Sequence, residues 1–275
     1  MYKSLWKELH AAVCSINFFS DNGIKLTALT GFKISNYIIT DESVYKILKC
    51  DEVVFQFMQE DGLTPKLTIK MSFCAFLERI NRLAEFEDEG YALIELDQID
   101  TSDIPGMDIE LQKDYCIGQH IIMIGYQADQ DNLSLKNGII SSFFKSKNDK
   151  STIQFDVVIK HGNSGSPLIN AESGKVIGVV GHRLATISKS YEDFKKIIDE
   201  NLRLLKKSEG MMNILEIDPI QVLIANQNQM KQVSKDFYRS ASMLFGYANE
   251  IITLGNYIEA HNQLLDLVEV NKINA

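Results

Sequence analysis

The sequence has few residues that could tie a small fold together through disulfides or a bound metal. Among its 275 residues there are only four cysteines, and they occur singly, at Cys14, Cys50, Cys74 and Cys116. Disulfide frameworks and zinc sites use several cysteines at close spacing, such as C-x-x-C. The cysteines are therefore expected to be reduced, buried thiols, and no metal site is predicted. No cofactor is predicted either, because no phosphate-binding glycine loop or nucleotide fingerprint is present.

Basic residues are also scarce. The chain has 28 Lys and Arg against 37 Asp and Glu, which gives a formal net charge of −9. Binding to a nucleic-acid backbone or an acidic membrane needs clustered basic side chains, and here the clearest clusters are the pairs Lys195–Lys196 and Lys206–Lys207. Nucleic acid and membrane surfaces are therefore excluded as expected partners.

Long hydrophobic runs are absent as well. No stretch approaches the roughly 18 consecutive apolar residues that span a bilayer. The first residues, MYKSLWKELHAAV, lack the apolar core and small-residue cleavage site of a secretory signal. A cytoplasmic protein is expected, unless an export segment precedes the sequence.

What the sequence does contain is a series of short apolar, β-branched runs separated by turns. With 45% hydrophobic residues the chain can bury a sizeable core. A first set of runs covers Ala12–Phe19, Ile24–Leu29, Gly31–Thr40, Val53–Met58, Leu67–Phe73 and Tyr91–Leu96. A second set covers Ile121–Gly125, Lys136–Phe143, Ile153–Ile159, Pro167–Asn170 and Lys175–Val180. This pattern predicts two β units, over residues 1–105 and 106–187.

The pattern changes to helical spacing near Ser188. Apolar residues then recur every three or four positions, and Asp218-Pro219 is a typical helix start. Gly255-Asn256 predicts a break between two last helices, over Met243–Leu254 and Tyr257–Val270. An α-helical module over 188–275 is therefore expected after the two β units.

One loop combines residues that can carry chemistry. In His161-Gly162-Asn163-Ser164-Gly165-Ser166, two glycines flank a serine between two β runs. A sharp turn there would point the amide N–H groups of Gly162 and Ser164 into one concavity, which is how an oxyanion hole is built beside a nucleophile. The alternative is an ordinary polar hairpin turn.

Residues from about 11 to 185 resemble the chymotrypsin- and trypsin-like serine proteases, and look most like their bacterial HtrA-like branch. The segments that carry the resemblance, in the family's order, are Thr30–Ile34, Ile38–Val44, Tyr91–Leu96, Ile117–Tyr126 with Asn137–Ser141, and Gly162–Leu168 with Val176–Val179. The resemblance implies a chymotrypsin-like double β-barrel with an active cleft between the barrels. It also implies a serine nucleophile assisted by a histidine base and an orienting aspartate.

The sequence departs from the family at two of these three positions. Ser164 falls on the nucleophile, and Gly162 and Ser164 on the oxyanion hole. The histidine position holds Ser43, whose hydroxyl cannot accept a proton at neutral pH. The aspartate position holds Gly90, and Gly181 replaces a polar residue that some relatives place behind the aspartate. Both helper positions of the triad are thus vacant by side-chain type.

Other residues of the cleft offer substitutes. The resemblance places His161 and His182 on the cleft walls, where they are relocated bases or, as we favour, lining residues. It places Val158 and Ile159 at the pocket floor, which suggests an apolar preference. The remaining histidines, His10, His120 and His261, are expected to be remote from the nucleophile. A further alternative is a carboxylate base among the acidic residues near the vacant positions, although these are expected to be solvated turn residues: Asp41, Glu42, Asp88 and Glu89.

Two functions follow from this pattern. The first is a pseudoprotease, a scaffold that holds a protein or an extended peptide in the inter-barrel cleft by β-addition. The second is an active serine endopeptidase that uses Ser164 with a relocated or partner-supplied base. Enzymatic activity stays open between them, with inactivity favoured, because loss of triad members costs several orders of magnitude in rate.

The C-terminal residues show a second, partial resemblance, to a tetratricopeptide repeat. It is carried by Leu244, Ala248, Gly255-Asn256-Tyr257, Ala260, Leu264 and Leu267. The alternative is an ordinary helical hairpin packed on the barrel. A protein partner on these helices is an expectation, and the combination of domains resembles components of bacterial multi-component systems.

Overall fold

The computed structural model describes residues 1–47, 49–81, 89–127, 130–145, 150–181, 188–211, 218–241, 245–258 and 260. The chain divides into two compact units. The first combines Met1–His182 with Phe245–Ala275, and the second covers Arg183–Leu244. No helix in the described ranges is long and apolar enough to cross a membrane.

The first unit begins with an amphipathic helix and a seven-stranded antiparallel sheet. Its elements are α1 (Tyr2–Leu9), β1 (Val13–Phe19), β2 (Lys25–Ile34), β3 (Tyr37–Asp41), β4 (Glu52–Met58), β5 (Pro65–Ser72), α2 (Phe73–Arg79), β6 (Ile80–Asn81) and β7 (Tyr91–Glu95). The strand order is β5-β4-β1-β2-β3-β7-β6. The edge strand β5 alternates outward residues such as Lys66 and Lys70 with half-buried apolar ones, which protects an open edge from pairing with another chain. The central strand β1 is buried almost throughout, so it reads as a continuous apolar run.

The second β set closes into a barrel. Its strands are β8 (His120–Gln127), β9 (Gln130–Lys145), β10 (Ser151–Phe155), β11 (Pro167–Asn170), β12 (Val176–Gly181) and β13 (Gly246–Glu250), in the order β10-β13-β12-β11-β8-β9. Closure leaves this sheet without an edge. A buried cluster with members from both sheets, including Phe32, Tyr91, Ile124 and Val179, joins the two halves of the unit. The predicted mainly β fold, with a chymotrypsin-like double barrel and helices in the C-terminal part of the chain, is thereby confirmed, and the seven-stranded sheet is its first barrel.

Strand β13 differs from the sequence-based expectation. The helix predicted over Met243–Leu254 is wrong for Gly246–Glu250, which pair with β10 on one side and β12 on the other. At Gly246 a Cβ atom would lie 2.2 Å from the Phe155 ring, so the barrel wall accepts only glycine there without rearrangement. A five-residue segment is too short for its periodicity to decide, and pairing between two strands outweighs local propensity.

The pairing of β13 also interrupts the expected tetratricopeptide hairpin. Ala248 lies in strand β13, where the first helix of the repeat was expected. Residues 252–258 are helical and continue through Gly255-Asn256, where a break was expected. Leu244, Leu264 and Leu267 lie outside the described residues. The expected module over 188–275 thus divides between the second unit, which holds two helices, and the first unit, which holds β13 and the helical residues 252–258.

The second unit contains a helical hairpin, α3 (Ser188–Lys207) and α4 (Pro219–Ala241). Asp218 caps α4 as the sequence suggests, because its carboxylate accepts a hydrogen bond of 2.8 Å from the Ile220 N–H. The two helices are linked by an ion pair of 2.6 Å between Lys231 and Asp199. The hairpin is inserted between β12 and β13, which are neighbours in the barrel.

Candidate active site around Ser164

Two glycines give the Ser164 loop its shape. Gly162 and Gly165 have φ values of 96° and 87°, in the left-handed region that glycine adopts without a steric penalty. A Cβ atom on Gly165 would also lie 2.0 Å from the carbonyl oxygen of Thr30 and 2.4 Å from Oγ1 of Thr40. Glycine is thus required at position 165 both by backbone conformation and by the close approach of the first barrel.

Thr30 of β2 holds this loop from the first barrel. Its N–H donates to the carbonyl of Ser164 at 2.8 Å, and its hydroxyl donates to the carbonyl of Gly162 at 2.7 Å. The same hydroxyl accepts a hydrogen bond of 3.0 Å from the Tyr126 N–H of β8. Residues from both barrels therefore fix the backbone on each side of Asn163.

Asn163 and Lys136 brace the loop from the second barrel. The buried amide of Asn163 donates to the carbonyl of Tyr126 and accepts hydrogen bonds of 2.9 Å from the Lys160 N–H and from Nζ of Lys136. Lys136 also donates to the carbonyl of Val158 at 2.9 Å. Burial lowers the pKa of Lys136, and the nearby charge of Lys160 acts in the same direction. The ammonium group is thus held by fixed acceptors instead of bulk water.

The amides that could form an oxyanion hole are available. The neighbouring N–H groups are engaged, since Gly165 donates to Val180 at 2.7 Å and Ser166 donates to Asn163 at 3.0 Å. Within the described ranges, the N–H groups of Gly162 and Ser164 donate to no protein acceptor. Two free donors beside a serine match the arrangement that stabilises a developing oxyanion.

Ser164 is the predicted nucleophile. Its hydroxyl has no hydrogen-bond partner in the described part of the chain. The residue is 6% exposed, at the surface of a buried loop. Neither His161 nor any other described histidine forms a hydrogen bond with its hydroxyl. His10 stacks on Trp6 in α1 with ring centroids 5.5 Å apart, and His120 begins β8. His182 and His261 lie outside the described residues.

The histidine position is joined to a buried carboxylate. Asp41 ends β3 and caps the short 3₁₀ helix Glu42–Lys46, and its carboxylate accepts a hydrogen bond of 3.0 Å from the Ser43 N–H. Burial raises the pKa of Asp41, whereas hydrogen bonding from Ser43 lowers it. The expectation of a solvated turn residue is wrong for Asp41, which is 3% exposed because it lies where the two barrels meet.

The aspartate position is filled by another residue. Gly90 has a φ of 85°, and a Cβ atom there would lie 2.3 Å from Nδ2 of Asn249. This Asn249 amide donates a hydrogen bond of 3.1 Å to the carbonyl of Gly90. Sequence reasoning missed Asn249 because it placed this residue in a helix of the C-terminal module. No local signal marks it, since its position depends on the pairing of β13.

The residues expected to line the cleft occupy different environments. Ile159 is buried in the core of the second barrel, whereas Val158 is 50% exposed. His161 lies in the turn that precedes Gly162. The pocket floor formed by Val158 and Ile159 therefore stays a prediction. Among the described residues, no group of three or more His, Cys, Asp or Glu side chains could hold a metal ion.

Comparisons with known proteins agree with this geometry. Residues 71–179 match the model of a trypsin-like peptidase domain. Two curated relatives are described as probable periplasmic DegP-like serine endoproteases. The one from Pseudomonas fluorescens is 28% identical over 213 residues, which covers 75% of this chain and 35% of the relative. The one from Hahella chejuensis is 25% identical over 207 residues, which covers 74% of this chain and 35% of the relative.

The chain thus spans about a third of the length of these relatives, 35% in each case. Among solved structures, the Rv3671c protease from M. tuberculosis in its active form aligns with a TM-score of 0.50 at 16% identity. That alignment covers 68% of this chain and 76% of the other, and it shows a shared fold. The domain match, the relatives and the double barrel together show that the chain is similar to the trypsin-like, HtrA-type serine proteases.

Proposed function

We propose that this chain is a pseudoprotease, which holds an extended peptide or protein segment in its cleft without cleaving it efficiently. The observation that carries the proposal is the state of Ser43, at the histidine position. Its backbone N–H is bonded to Asp41, and its hydroxyl has no basic lone pair to offer to Ser164 at neutral pH. A serine hydroxyl without a base is a weak nucleophile.

The aspartate position supports the same proposal. Asn249 fills the space beside Gly90 and is itself anchored to the Gly90 carbonyl. An amide is neutral, so it cannot balance the charge of a protonated base as the triad aspartate does. Neither Ser43 nor Gly90 therefore carries a side chain that can act as the triad base or as its aspartate.

The binding half of the proposal rests on the Ser164 loop. Thr30, Asn163 and Lys136 hold this loop in place, and the amides of Gly162 and Ser164 are free to bind a carbonyl oxygen. Donors that are fixed before binding cost little entropy when a ligand is bound. An extended peptide that places one carbonyl against these amides is the ligand class we propose.

Incubation with a peptide library tests this function. We expect fluorescence anisotropy to detect bound peptides, and mass spectrometry to find the same products with the wild type as with Ser164→Ala. Gly162→Ala strains the loop at its positive φ and should weaken binding, whereas Gly118→Ala, at a φ of 87° outside this loop, should leave binding unchanged. Cleavage products that disappear in Ser164→Ala would overturn the proposal.

The second candidate is an active endopeptidase that takes its base from a partner or from a residue relocated into the cleft. The free amides of Gly162 and Ser164 favour it, because an oxyanion hole alone gives residual catalysis. Activity that appears only when a second protein is added would favour this candidate. His161 or His182 would be the relocated base of this enzyme. Replacement of each histidine by Ala shows which of the two is needed for activity.

A protein partner on the helical hairpin is a separate proposal. Exposed apolar side chains follow α4 at helical spacing, at Met230, Val233 and Phe237. Replacement of Val233 and Phe237 by Ser should abolish capture of such a partner and leave peptide binding unchanged.

The cytoplasmic location stays a prediction. The curated relatives are described as periplasmic, so the two compartments are the alternatives to separate. Fractionation of cells that express the full-length gene decides between them.

A further inference from the structure

Two polar side chains meet at Gly181, close to the vacant triad positions. A Cβ atom on Gly181 would lie 3.4 Å from Oδ2 of Asp41 and 3.4 Å from Nδ2 of Asn249. The family resemblance places residue 181 behind the aspartate. The Asp41 carboxylate and the Asn249 amide therefore share the place where the side chain of an orienting aspartate would lie.

Asp41 reaches the histidine position from this place. Its carboxylate accepts a hydrogen bond of 3.0 Å from the backbone N–H of Ser43. The essential contact of an orienting aspartate is a hydrogen bond to the side chain at the histidine position. Asp41 lies beside this position at the end of β3, two residues away in sequence, whereas the residue at position 90 has no side chain.

The surroundings also suit an orienting carboxylate. Asp41 is 3% exposed, and its backbone lies against the Ser164 loop, since its N atom would be 3.0 Å from a Cβ atom on Gly165. A buried carboxylate with fixed hydrogen-bond donors is strongly oriented. Burial raises its pKa, which is consistent with a site that excludes water.

We propose that the acidic position of the triad has moved from residue 90 to Asp41, and that Asn249 has taken over the space at residue 90. Asp41 is then a positioning residue for whatever side chain stands at position 43. The proposal goes beyond the pseudoprotease function, because it confines the defect of the site to a single side chain. A histidine at position 43 should find its orienting carboxylate already in place.

The first test measures the pKa of a histidine placed at position 43. Ser43→His is compared with Ser43→His/Asp41→Asn by NMR titration of the imidazole. We expect the pKa to be higher with Asp41 present by about one unit or more, as an adjacent carboxylate stabilises the imidazolium. The charges of Glu42, Lys46 and Lys150 near this position are the same in both variants, and Gly90, Gly181 and Asn249 are neutral.

Equal imidazole pKa values in the two variants would overturn the proposal. Asn at position 41 can still cap the 3₁₀ helix. If the Asp41→Asn variant unfolds at too low a temperature, Asp41→Ser provides a second variant that can cap the helix. The titration does not depend on the reactivity of Ser164. A failure here is therefore distinct from a failure of the proposed function, which is judged by cleavage in the wild type.

The second test measures the rate at which a fluorophosphonate labels Ser164. A general base contributes about 10² to 10⁴ in rate, so Ser43→His should label at least about 100-fold faster than the wild type. Addition of Asp41→Asn should remove most of this gain. Addition of Gly90→Asp should bring no further gain, because Asn249 occupies the space. The proposal would be contradicted if the labelling rate rose only with Gly90→Asp and did not change with Asp41→Asn.

Discussion

The side-chain amide of Asn249 donates a hydrogen bond of 3.1 Å to the backbone carbonyl of Gly90, 159 residues earlier in the chain. This bond joins the last strand of the second barrel to the entrance of β7 in the first. It exists because β13 returns to the barrel after the inserted helical hairpin. The residue that lies against Gly90, the predicted aspartate position, thus comes from the last strand of the second barrel.

The contact between Gly90 and Asn249 predicts a coupled effect on stability. Gly90→Ala should lower the free energy of unfolding by about 1–3 kcal/mol, because the new Cβ atom overlaps the Asn249 amide at a positive φ. In Asn249→Ala the overlap is gone, and the further loss from Gly90→Ala should be smaller. Urea denaturation of the two single variants and the double variant measures this coupling. Additive losses would show that the two residues do not compete for one space.

Gly165 and Gly118 form a matched pair for the Ser164 loop. Both have a φ of 87°, but a Cβ atom on Gly165 would lie 2.0 Å from the Thr30 carbonyl oxygen, whereas Gly118 has nothing within 4 Å. We expect Gly118→Ala to cost about 1–2 kcal/mol from backbone strain alone. Gly165→Ala should cost about 2 kcal/mol more, because overpacking adds to the same strain. Equal shifts in thermal denaturation would contradict the packing of the loop against β2.

Lys136 should matter to stability more than an exposed lysine does. Lys136→Met leaves the Val158 carbonyl without its Lys136 donor and removes one of the two hydrogen bonds to Oδ1 of Asn163. The expected loss is about 1–3 kcal/mol. The control is Lys25→Met, which removes an exposed pair with Asp131 and should cost less than about 1 kcal/mol. Chemical denaturation measures both, and similar losses would refute the bracing role of Lys136.

The raised pKa of Asp41 predicts in which direction stability changes with pH. Burial raises its pKa in the folded state above the ordinary value of 3.8, so the folded protein holds this proton more tightly than the unfolded chain. Its contribution to stability is therefore fully present below pH 3.8 and is lost as the pH rises through the folded-state pKa. Relative to Asp41→Asn, the wild type should gain stability as the pH falls from 7 towards 4. Thermal denaturation of the two proteins across this pH range checks the prediction. A loss of wild-type stability relative to Asp41→Asn at lower pH would contradict it.

The Ser164 loop was predictable because its information is local. Gly162 and Gly165 flank a serine between two β-branched runs, and the positive φ angles of both glycines give this loop its shape. The strand runs were predictable for a related reason, since β-branched residues in short alternating or buried runs favour strands wherever they occur. The double barrel therefore followed from the order of these runs and from the family resemblance.

Strand β13 and its residue Asn249 could not be predicted in the same way. Gly246–Glu250 has no strong β pattern, and its conformation depends on the open position between β10 and β12. The burial of Asp41 is likewise a tertiary effect, because an acidic residue at a strand end is exposed unless another barrel covers it. The family resemblance predicts that Ser43 and Gly90 replace two triad side chains, but the sequence could not show that Asp41 and Asn249 lie beside them.

The central claim of the proposed function is that Ser164 lies in a formed loop and that no base acts on it, as none does among the described residues. It is tested most directly by the rate at which a fluorophosphonate labels Ser164, measured by mass spectrometry beside an active trypsin-like protease. We predict labelling slower by about 10⁴-fold or more, as expected for loss of the triad histidine. Rapid labelling that is abolished in Ser164→Ala and retained in Ser166→Ala would contradict the claim.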